Sequence, residues 1–388
     1  MFKKSSISGI TLESAGLVAL ADLPTVAVRT ALMGTASWLD ILVLAPGMHQ
    51  QQSADEVNRS EFPLTGSLTN GCVFHVENPA TVSYLQSIGR TGHLVTAKVV
   101  NQNLNNAKKK NPYFDLSPPQ SHTFYRAGVS VALLYLLCPM LTIVVFALVG
   151  SIRDWWALAV LGMLVLSRTI NVFVVKRRVS GSKDWKGAEE EGQGDLLGVV
   201  LLLQHVVLSQ DRWVRLQGKL SDVKWVTAGQ WLRDKDRVES LAVGFATLLV
   251  YAAAALAGNA STIGSLVIAV LLLCSVALLA LCNSLTHRLQ MYDCFVQEDK
   301  SLRTPYKRRL QMVKELVEEV KNNMKQEGRK QEDRQEGGKQ ECKPGAWAIN
   351  MQLIQSIDEL DQDFLSESTS TSATDRSKEP KSSMWCMC

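Results

Sequence analysis

The chain has 388 residues, of which 46% are hydrophobic and 20% charged, and its formal net charge is +4. This length leaves room for two or three domains, and a charge this small, without a basic stripe interleaved with aromatic residues, argues against a nucleic-acid partner. The eight cysteines are scattered along the chain, which is not the pattern of a disulfide framework and suits a reducing compartment.

Residues 1–127 form the first predicted region, which we expect to be cytoplasmic. The stretch 17–48 is moderately apolar, but Asp22, Arg29 and Asp40 interrupt it, and such groups are costly in lipid. We therefore predict short soluble or membrane-surface helices there, with a re-entrant membrane segment as the alternative. Residues 71–100 are richer in β-branched residues and predict strands.

Two pairs of long apolar runs predict four transmembrane helices. One pair occupies residues 128–175 and the other residues 239–285, where the runs 241–257 and 263–282 carry no charge. Each run is about long enough to cross roughly 30 Å of hydrocarbon as an α-helix. The links are short, so the predicted fold class is a membrane all-α protein, a four-span helical bundle made of two helical hairpins.

The distribution of basic residues predicts the orientation of these spans. The basic runs 108–110 and 176–178 and the single Arg288 lie on one side of the predicted membrane, whereas Arg153 lies on the other. By the positive-inside rule, we expect both termini and the loop 176–238 to be cytoplasmic.

The loop 176–238 is predicted to be a small cytoplasmic α+β insertion. Two interpretations compete: strands over 196–208 and 212–217 that form a hairpin, or an amphipathic helix that begins near Trp213. A fifth span over 196–208 is a further alternative, although this run is short for one. We favour a β-then-α unit docked on the membrane, with Trp213, Trp225 and Trp231 near the headgroups; packing of the tryptophans inside a soluble unit is the alternative.

Residues 286–388 are predicted to contain one helix and a disordered tail. The helix, over 305–326, carries an apolar stripe that includes Val313 and Val317, so a short coiled coil is a further option. The stretches 326–340 and 366–383 are polar and are predicted to be disordered.

Arg168 is the candidate polar contact inside the membrane. It lies about 20 Å along the second span from Trp155, and ionisable groups at such depth are often functional, for example as a counter-ion or substrate contact. The interpretation we favour is structural, because Arg168 is near the cytoplasmic end and can snorkel, towards Glu239 for example. The four spans hold no Asp, Glu, Lys or His at depth, which argues against a proton-coupled pump.

Catalytic and ligand-binding signatures are missing from the sequence. There is no G-x-S-x-G elbow, Walker A loop or H-E-x-x-H motif. Cys72 and His75 have no second ligand pair at suitable spacing to complete a metal site. We therefore predict no enzyme activity, no catalytic residues, no cofactor and no metal.

Two features bear on membrane attachment and assembly. The chain ends in Cys386-Met387-Cys388, which is not a C-a-a-X box; thioester acylation of Cys386 or Cys388 is the lipidation to consider, and unmodified thiols are the favoured alternative. Small residues such as Ala246 and Ala253 mark either a homo-oligomer face or close packing among the four spans.

Three segments of the chain carry a family resemblance. The segments 209–215 (SQDRWVR), 227–232 (TAGQWL) and 258–262 (GNAST) together resemble uncharacterised multi-pass membrane proteins of filamentous fungi, over roughly residues 120–290. The resemblance implies a fungal source and a membrane location. It implies no activity and assigns no functional residues.

Two functions of different class follow. The first is a non-enzymatic membrane anchor or interaction protein that presents cytoplasmic segments to protein partners at the lipid bilayer, because nearly all the soluble sequence falls on one side. The alternative is a small-solute or ion conduit or transporter. The polar groups such a conduit would use at depth are Thr142, Ser167, Thr247, Ser265 and Ser275.

Overall fold

The computed structural model describes residues 14–68, 71–101, 129–181, 193–199, 212–291, 293–331, 345–351 and 353–354. The chain divides into two compact units, Met1–Leu64 with His75–Thr304, and Thr65–Phe74 with Pro305–Cys388. In the described part, the helices are α1 Ser14–Leu20, α2 Thr25–Met33, α3 Pro79–Ile88, α4 Val129–Ile152, α5 Trp155–Gly181, α6 Leu220–Ala228, α7 Arg237–Leu256, α8 Thr262–Leu285, α9 Arg309–Gln331 and α10 Ala346–Asn350. The strands are β1 Leu64–Ser67, β2 Val73–His75, β3 His93–Asn101, β4 Gln193–Val199, β5 Trp213–Lys219, β6 Arg288–Met291, β7 Cys294–Glu298 and β8 Thr304–Pro305.

Helices α4, α5, α7 and α8 are the four predicted spans, and each is long and apolar enough to cross a membrane. Within the first unit their apolar side chains share one buried cluster, to which Val145, Leu161, Val250 and Ile268 each contribute from a different helix. The large apolar side chains on their outer faces remain exposed, as expected for helices whose solvent is lipid. Four candidate membrane helices are thus confirmed by length and composition.

One carboxylate joins the two hairpin turns. Asp154, in the α4–α5 turn, accepts hydrogen bonds from the backbone N–H groups of Ala157 (3.2 Å) and Ser261 (2.7 Å). The first contact caps α5 and the second reaches the α7–α8 turn, where the Ser261 hydroxyl caps α8 through Gly264 N. We call this end of the spans the turn end and the opposite end the domain end.

The segment 14–56, here called the N-terminal insert, packs between the spans. Helix α1 contacts α7, α8 and the 3-10 turn Ala257–Asn259 at the turn end. At the domain end of α8, Asn283 Nδ2 donates to Thr25 O at 3.0 Å, so the insert runs along most of the length of the spans.

This position corrects one expectation about residues 17–48. Leu44 and Met48 are fully buried in the apolar cluster of the spans, so the segment is not a surface helix. Because α1 lies at the turn end and Thr25 at the domain end, the segment does not enter and leave on one side as a re-entrant segment would. Arg29 and Asp40 can be accommodated there because distant residues provide partners for them.

The described strands form an eight-stranded sheet, so the all-α prediction holds for the spans only. Within the first unit, five strands follow the order β4-β5-β3-β7-β6, with β3 and β5 parallel and the other described pairs antiparallel. These strands come from three soluble regions that sequence analysis treated as separate. Helix α3 supports the sheet through Tyr84, whose hydroxyl accepts a hydrogen bond from Glu298 N at 3.2 Å.

The loop 176–238 adopts the β-then-α arrangement. Strands β4 and β5 pair as an antiparallel hairpin and α6 follows at once; the helical interpretation is wrong for residues 213–219. Residues 200–211 lie outside the described part. Trp213 and Trp231 are buried within the protein, which agrees with the packed alternative and leaves neither indole available to the headgroup layer.

In the second unit, helix α9 is confirmed and continues to Gln331, into the stretch predicted to be disordered. Its buried residues include Val313 and Val317, as the stripe predicted. Helix α10 is fixed to the β1–β2 turn by a hydrogen bond from Asn350 Nδ2 to Gly71 O at 2.9 Å. The coiled coil stays a prediction, and the remaining tail lies outside the described residues.

Candidate functional site: a buried polar network at Arg168

Arg168 lies inside the packed spans, only 3% exposed. Its Nε donates to Asp40 O at 2.9 Å and its Nη1 donates to Gln51 Oε1 at 2.5 Å. Both acceptors belong to 3-10 segments of the N-terminal insert, Trp38–Leu42 and Met48–Glu56. The guanidinium therefore joins α5 to the insert at two separate points.

Asp40, whose backbone carbonyl accepts from Arg168, has its side-chain carboxylate held by two donors. Ser37 N donates to Oδ2 at 2.7 Å, which closes the first turn of the 3-10 segment. The Tyr135 hydroxyl, on α4, donates a very short hydrogen bond to Oδ1. A carboxylate with hydrogen bonds at both oxygens can be buried beside an arginine without being left unpaired.

A second branch of the network runs towards the domain end. Gln52 Nε2 donates to Asn171 O at 3.2 Å, and Gln52 Oε1 accepts from Arg178 Nη1 at 2.9 Å. Arg178 is also buried, and its Nε donates to Arg233 O at 2.7 Å. Two adjacent glutamines of the insert thus hold two arginines of α5.

Helix α2 contributes the contacts to α4 and α8. Arg29 Nη1 donates to Thr286 Oγ1 at 3.0 Å, and its guanidinium carbon lies 5.4 Å from the centre of the Tyr135 ring, at cation–π distance. Thr30 Oγ1 accepts from Gln51 Nε2 at 3.1 Å. The contacts of Arg29 provide partners for a charge that interrupts the apolar stretch 17–48 of the sequence.

Glu239 does not bind Arg168. Its carboxylate pairs with Arg233 at 2.6 Å and with Arg177 at 3.1 Å, and it accepts from Asp236 N at 2.9 Å, which caps α7. Arg168 is therefore anchored towards the insert and does not snorkel to Glu239.

The other sequence candidates are also located. Ser167 Oγ donates to Ala246 O at 2.7 Å, between α5 and α7, whereas Thr142 and Thr247 donate to carbonyls of their own helices. Ala246 and Ala253 are buried inside the chain, so packing among the spans accounts for these small residues. Cys386 and Cys388 lie outside the described residues.

Sequence reasoning missed Asp40, Tyr135, Gln51 and Gln52 as partners of Arg168. The sequence does show several polar residues within and just after the moderately apolar stretch, before residue 56. It does not show which span they contact. Chemically, the network pairs arginines with neutral oxygens, and the Asp40 carboxylate within it accepts from a backbone N–H and a tyrosine hydroxyl. Buried networks satisfied in this way fix the relative position of the elements that carry them.

Comparison with known proteins gives no match to a protein family model, a curated protein or a solved structure. Among the described residues, no group of three or more His, Cys, Asp or Glu side chains is arranged to hold a metal ion. The resemblance to fungal membrane proteins stays a prediction.

Proposed function

We propose that this protein is a non-enzymatic membrane anchor or interaction protein, in which the spans hold a cytoplasmic α/β domain at a fixed orientation to the bilayer. The observation that carries this proposal is the direct attachment of the sheet to the spans within the first unit. Only residues 286–287 separate α8 from β6. The Tyr84 hydroxyl donates to His287 O at 3.0 Å, inside that link.

A second attachment joins the domain to the N-terminal insert. The Trp231 indole is buried, and its Nε1 donates to Gly34 O at 2.9 Å. Because Gly34 directly follows α2, and α2 contacts α8, the domain is fixed from two sides. A surface held rigidly in this way loses less conformational entropy when a partner binds than a surface on a flexible tether does.

The experiment combines flux and crosslinking on the full-length chain. A photocrosslinking amino acid placed at Lys98 or Gln297, both exposed on the sheet, is expected to trap a reproducible cytosolic partner in cells. The same group at Leu248, on the lipid-facing side of α7, should not trap it. Protein reconstituted in liposomes is expected to pass K⁺, Cl⁻ and H⁺ no faster than empty liposomes. Flux above that level, with no partner trapped from the sheet, would refute the anchor proposal.

A small-solute or ion conduit is the second candidate. It is favoured by one observation: the insert brings Asp40, which is buried, among spans that carry no Asp, Glu, Lys or His at depth themselves. Buried ionisable residues at this depth often line ion pathways. Flux that Tyr135→Phe abolishes and Thr169→Val preserves would establish the conduit in place of the anchor, since Thr169→Val removes only a hydroxyl that is bonded within α5.

We further propose that the domain end faces the cytoplasm of a plasma membrane or endomembrane, because the basic residues gather there. This places the loop 176–238 and the C-terminal tail in the cytosol. The expected cytoplasmic N-terminus has a competing alternative, because α1, which begins at Ser14, lies at the turn end. Tags at residue 1 and within 182–192 that report opposite sides would support a crossing by the insert, and tags that report the same side would contradict it.

A further inference from the structure

Three polar side chains from three elements meet on the outer surface of α7. Asp22 lies in the break between α1 and α2, His49 lies in the Met48–Glu56 segment, and Tyr251 lies on α7. The imidazole of His49 and the ring of Tyr251 have centroids 6.1 Å apart. Asp22 directly precedes Leu23, whose carbonyl oxygen lies against Gly47, two residues before His49. None of the three belongs to the polar network at Arg168.

The packing around Gly47 holds this cluster in place. A Cβ added to Gly47 would meet Leu23 O at 2.0 Å, so the backbone next to Asp22 presses directly on the backbone that leads to His49. Gly47 also has φ +80°, which other residues rarely adopt. The break in the insert and the 3-10 segment are therefore fixed against each other.

The cluster lies at a depth where polar groups are costly. Tyr251 follows Arg237, the first residue of α7, by 14 positions, or about 21 Å at 1.5 Å per residue, in a hydrocarbon layer about 30 Å thick. Asp22 and Tyr251 are both exposed on the outside of the protein. An exposed carboxylate at this depth needs a polar partner, because it would otherwise face hydrocarbon.

The cluster also offers an unused acceptor or donor. His49 Nδ1 is buried and has no hydrogen-bond partner among the described residues. Among the described residues, the imidazole, the Asp22 carboxylate and the Tyr251 hydroxyl are not bonded to one another, and the exposed Asp22 and Tyr251 groups are the ones that a ligand reaches directly. A ligand that brings one small polar group could satisfy several of them at once.

An apolar stripe continues from the cluster along α7. Leu248 and Phe245, one and two turns before Tyr251, are 64% and 53% exposed. Leu23 is exposed next to Asp22. The surface is therefore amphipathic, with a polar end towards the turn end of the spans and an apolar track below it.

We propose that Asp22, His49 and Tyr251 form a lateral binding site for a membrane lipid whose polar head is a single hydroxyl, a sterol or a diacylglycerol, with its apolar body along Leu248 and Phe245. A hydroxyl can donate to the carboxylate or to the imidazole and accept from the tyrosine. A phosphate head is disfavoured because Asp22 repels it, and an ammonium head because it loses far more hydration at this depth.

The test uses the full-length protein in nanodiscs with photoreactive probes that carry the same reactive group: a sterol, a diacylglycerol, a phosphatidylcholine and a sphingoid amine. Crosslinks of the sterol or the diacylglycerol are expected to map to α7 near Tyr251 and to compete with the unlabelled lipid. Tyr251→Phe removes only a hydroxyl and should lower the crosslink about 2- to 10-fold, the worth of one hydrogen bond. His49→Phe and Asp22→Asn should lower it in the same way.

Thr247→Val is the matched control, because it removes a hydroxyl one turn away that is bonded within α7; its crosslink should equal that of the unmodified protein. Equal melting temperatures exclude misfolding as the cause of a loss. A crosslink from only one of the two hydroxyl lipids supports the proposal and identifies the source. Equal crosslinking by phosphatidylcholine or the amine, or no effect of Tyr251→Phe, would each overturn it.

Discussion

Substituting Arg168 by lysine tests the polar network most directly. Because Nε and Nη1 of Arg168 donate to different acceptors, Asp40 O and Gln51 Oε1, a single ammonium on a lysine cannot reproduce both bonds. Hydrogen bonds that involve a charged group contribute about 1.5–3 kcal/mol each. We therefore expect Arg168→Lys to lower the free energy of unfolding by about that amount, and Arg168→Met, which loses both bonds, by about 3–5 kcal/mol.

The assay is thermal or denaturant unfolding of the protein in detergent, followed by tryptophan fluorescence. Arg177→Lys is the control on the same helix: Arg177 is 56% exposed in its pair with Glu239, and such pairs contribute about 1 kcal/mol or less. A snorkelling arginine would tolerate lysine, so sequence analysis alone predicts no difference between the two substitutions. If Arg168→Lys were as stable as the unmodified protein, the network would not hold the insert in place.

Further predictions concern packing and reactivity. Gly264→Ala should destabilise the turn end by about 1–3 kcal/mol, because its Cβ would meet a carboxylate oxygen at 2.4 Å, whereas Gly150→Ala, with nothing within 4 Å, should not; melting temperatures compare the two. Gly34→Ala should cost about 1–3 kcal/mol, since φ is +67° and its Cβ would meet a backbone oxygen at 2.4 Å; an unchanged melting temperature would count against the sheet attachment. Burial raises the pKa of the Cys294 thiol from 9.0 to about 12. The folded state keeps this thiol protonated, so its contribution to the free energy of unfolding is complete below pH 9 and is lost as pH rises towards 12. At pH 8, maleimide should label exposed Cys72 in the native protein and Cys294 only after unfolding; fast native labelling of Cys294 would refute its burial.

The spans could be predicted from sequence because length and apolar composition alone determine them. The hairpin and helix of the loop 176–238 could be favoured because β4, β5 and α6 are close in sequence. The neighbours of β3 could not be predicted, since β5 and β7 reach it only after two and four spans have intervened. Pairing over such separations leaves no local pattern.

The path of the N-terminal insert could not be predicted from the sequence for a different reason. A hydropathy scale assigns Arg29 and Asp40 an unfavourable free energy of transfer, because it assumes that lipid is all that surrounds them. In the structure, Thr286 and Tyr135 provide partners for them. A charged residue whose partner lies more than ninety positions away cannot be recognised from its own neighbourhood, so the candidate site became visible only in three dimensions.

The order of the strands also dictates when the domain can form during synthesis. Strand β3 is synthesised before any span. Its partner β7, and β6 at the edge of the sheet beyond β7, follow α8 in the chain. Until α8 has been inserted, the β7-facing edge of β3 has no native partner, and unpaired edges promote aggregation. A ribosome-bound or truncated chain that ends before Arg288 therefore leaves this edge of β3 uncovered, whereas a chain that extends through β7 pairs it. Aggregation through this edge is thus a hazard confined to the interval between the synthesis of β3 and that of β7.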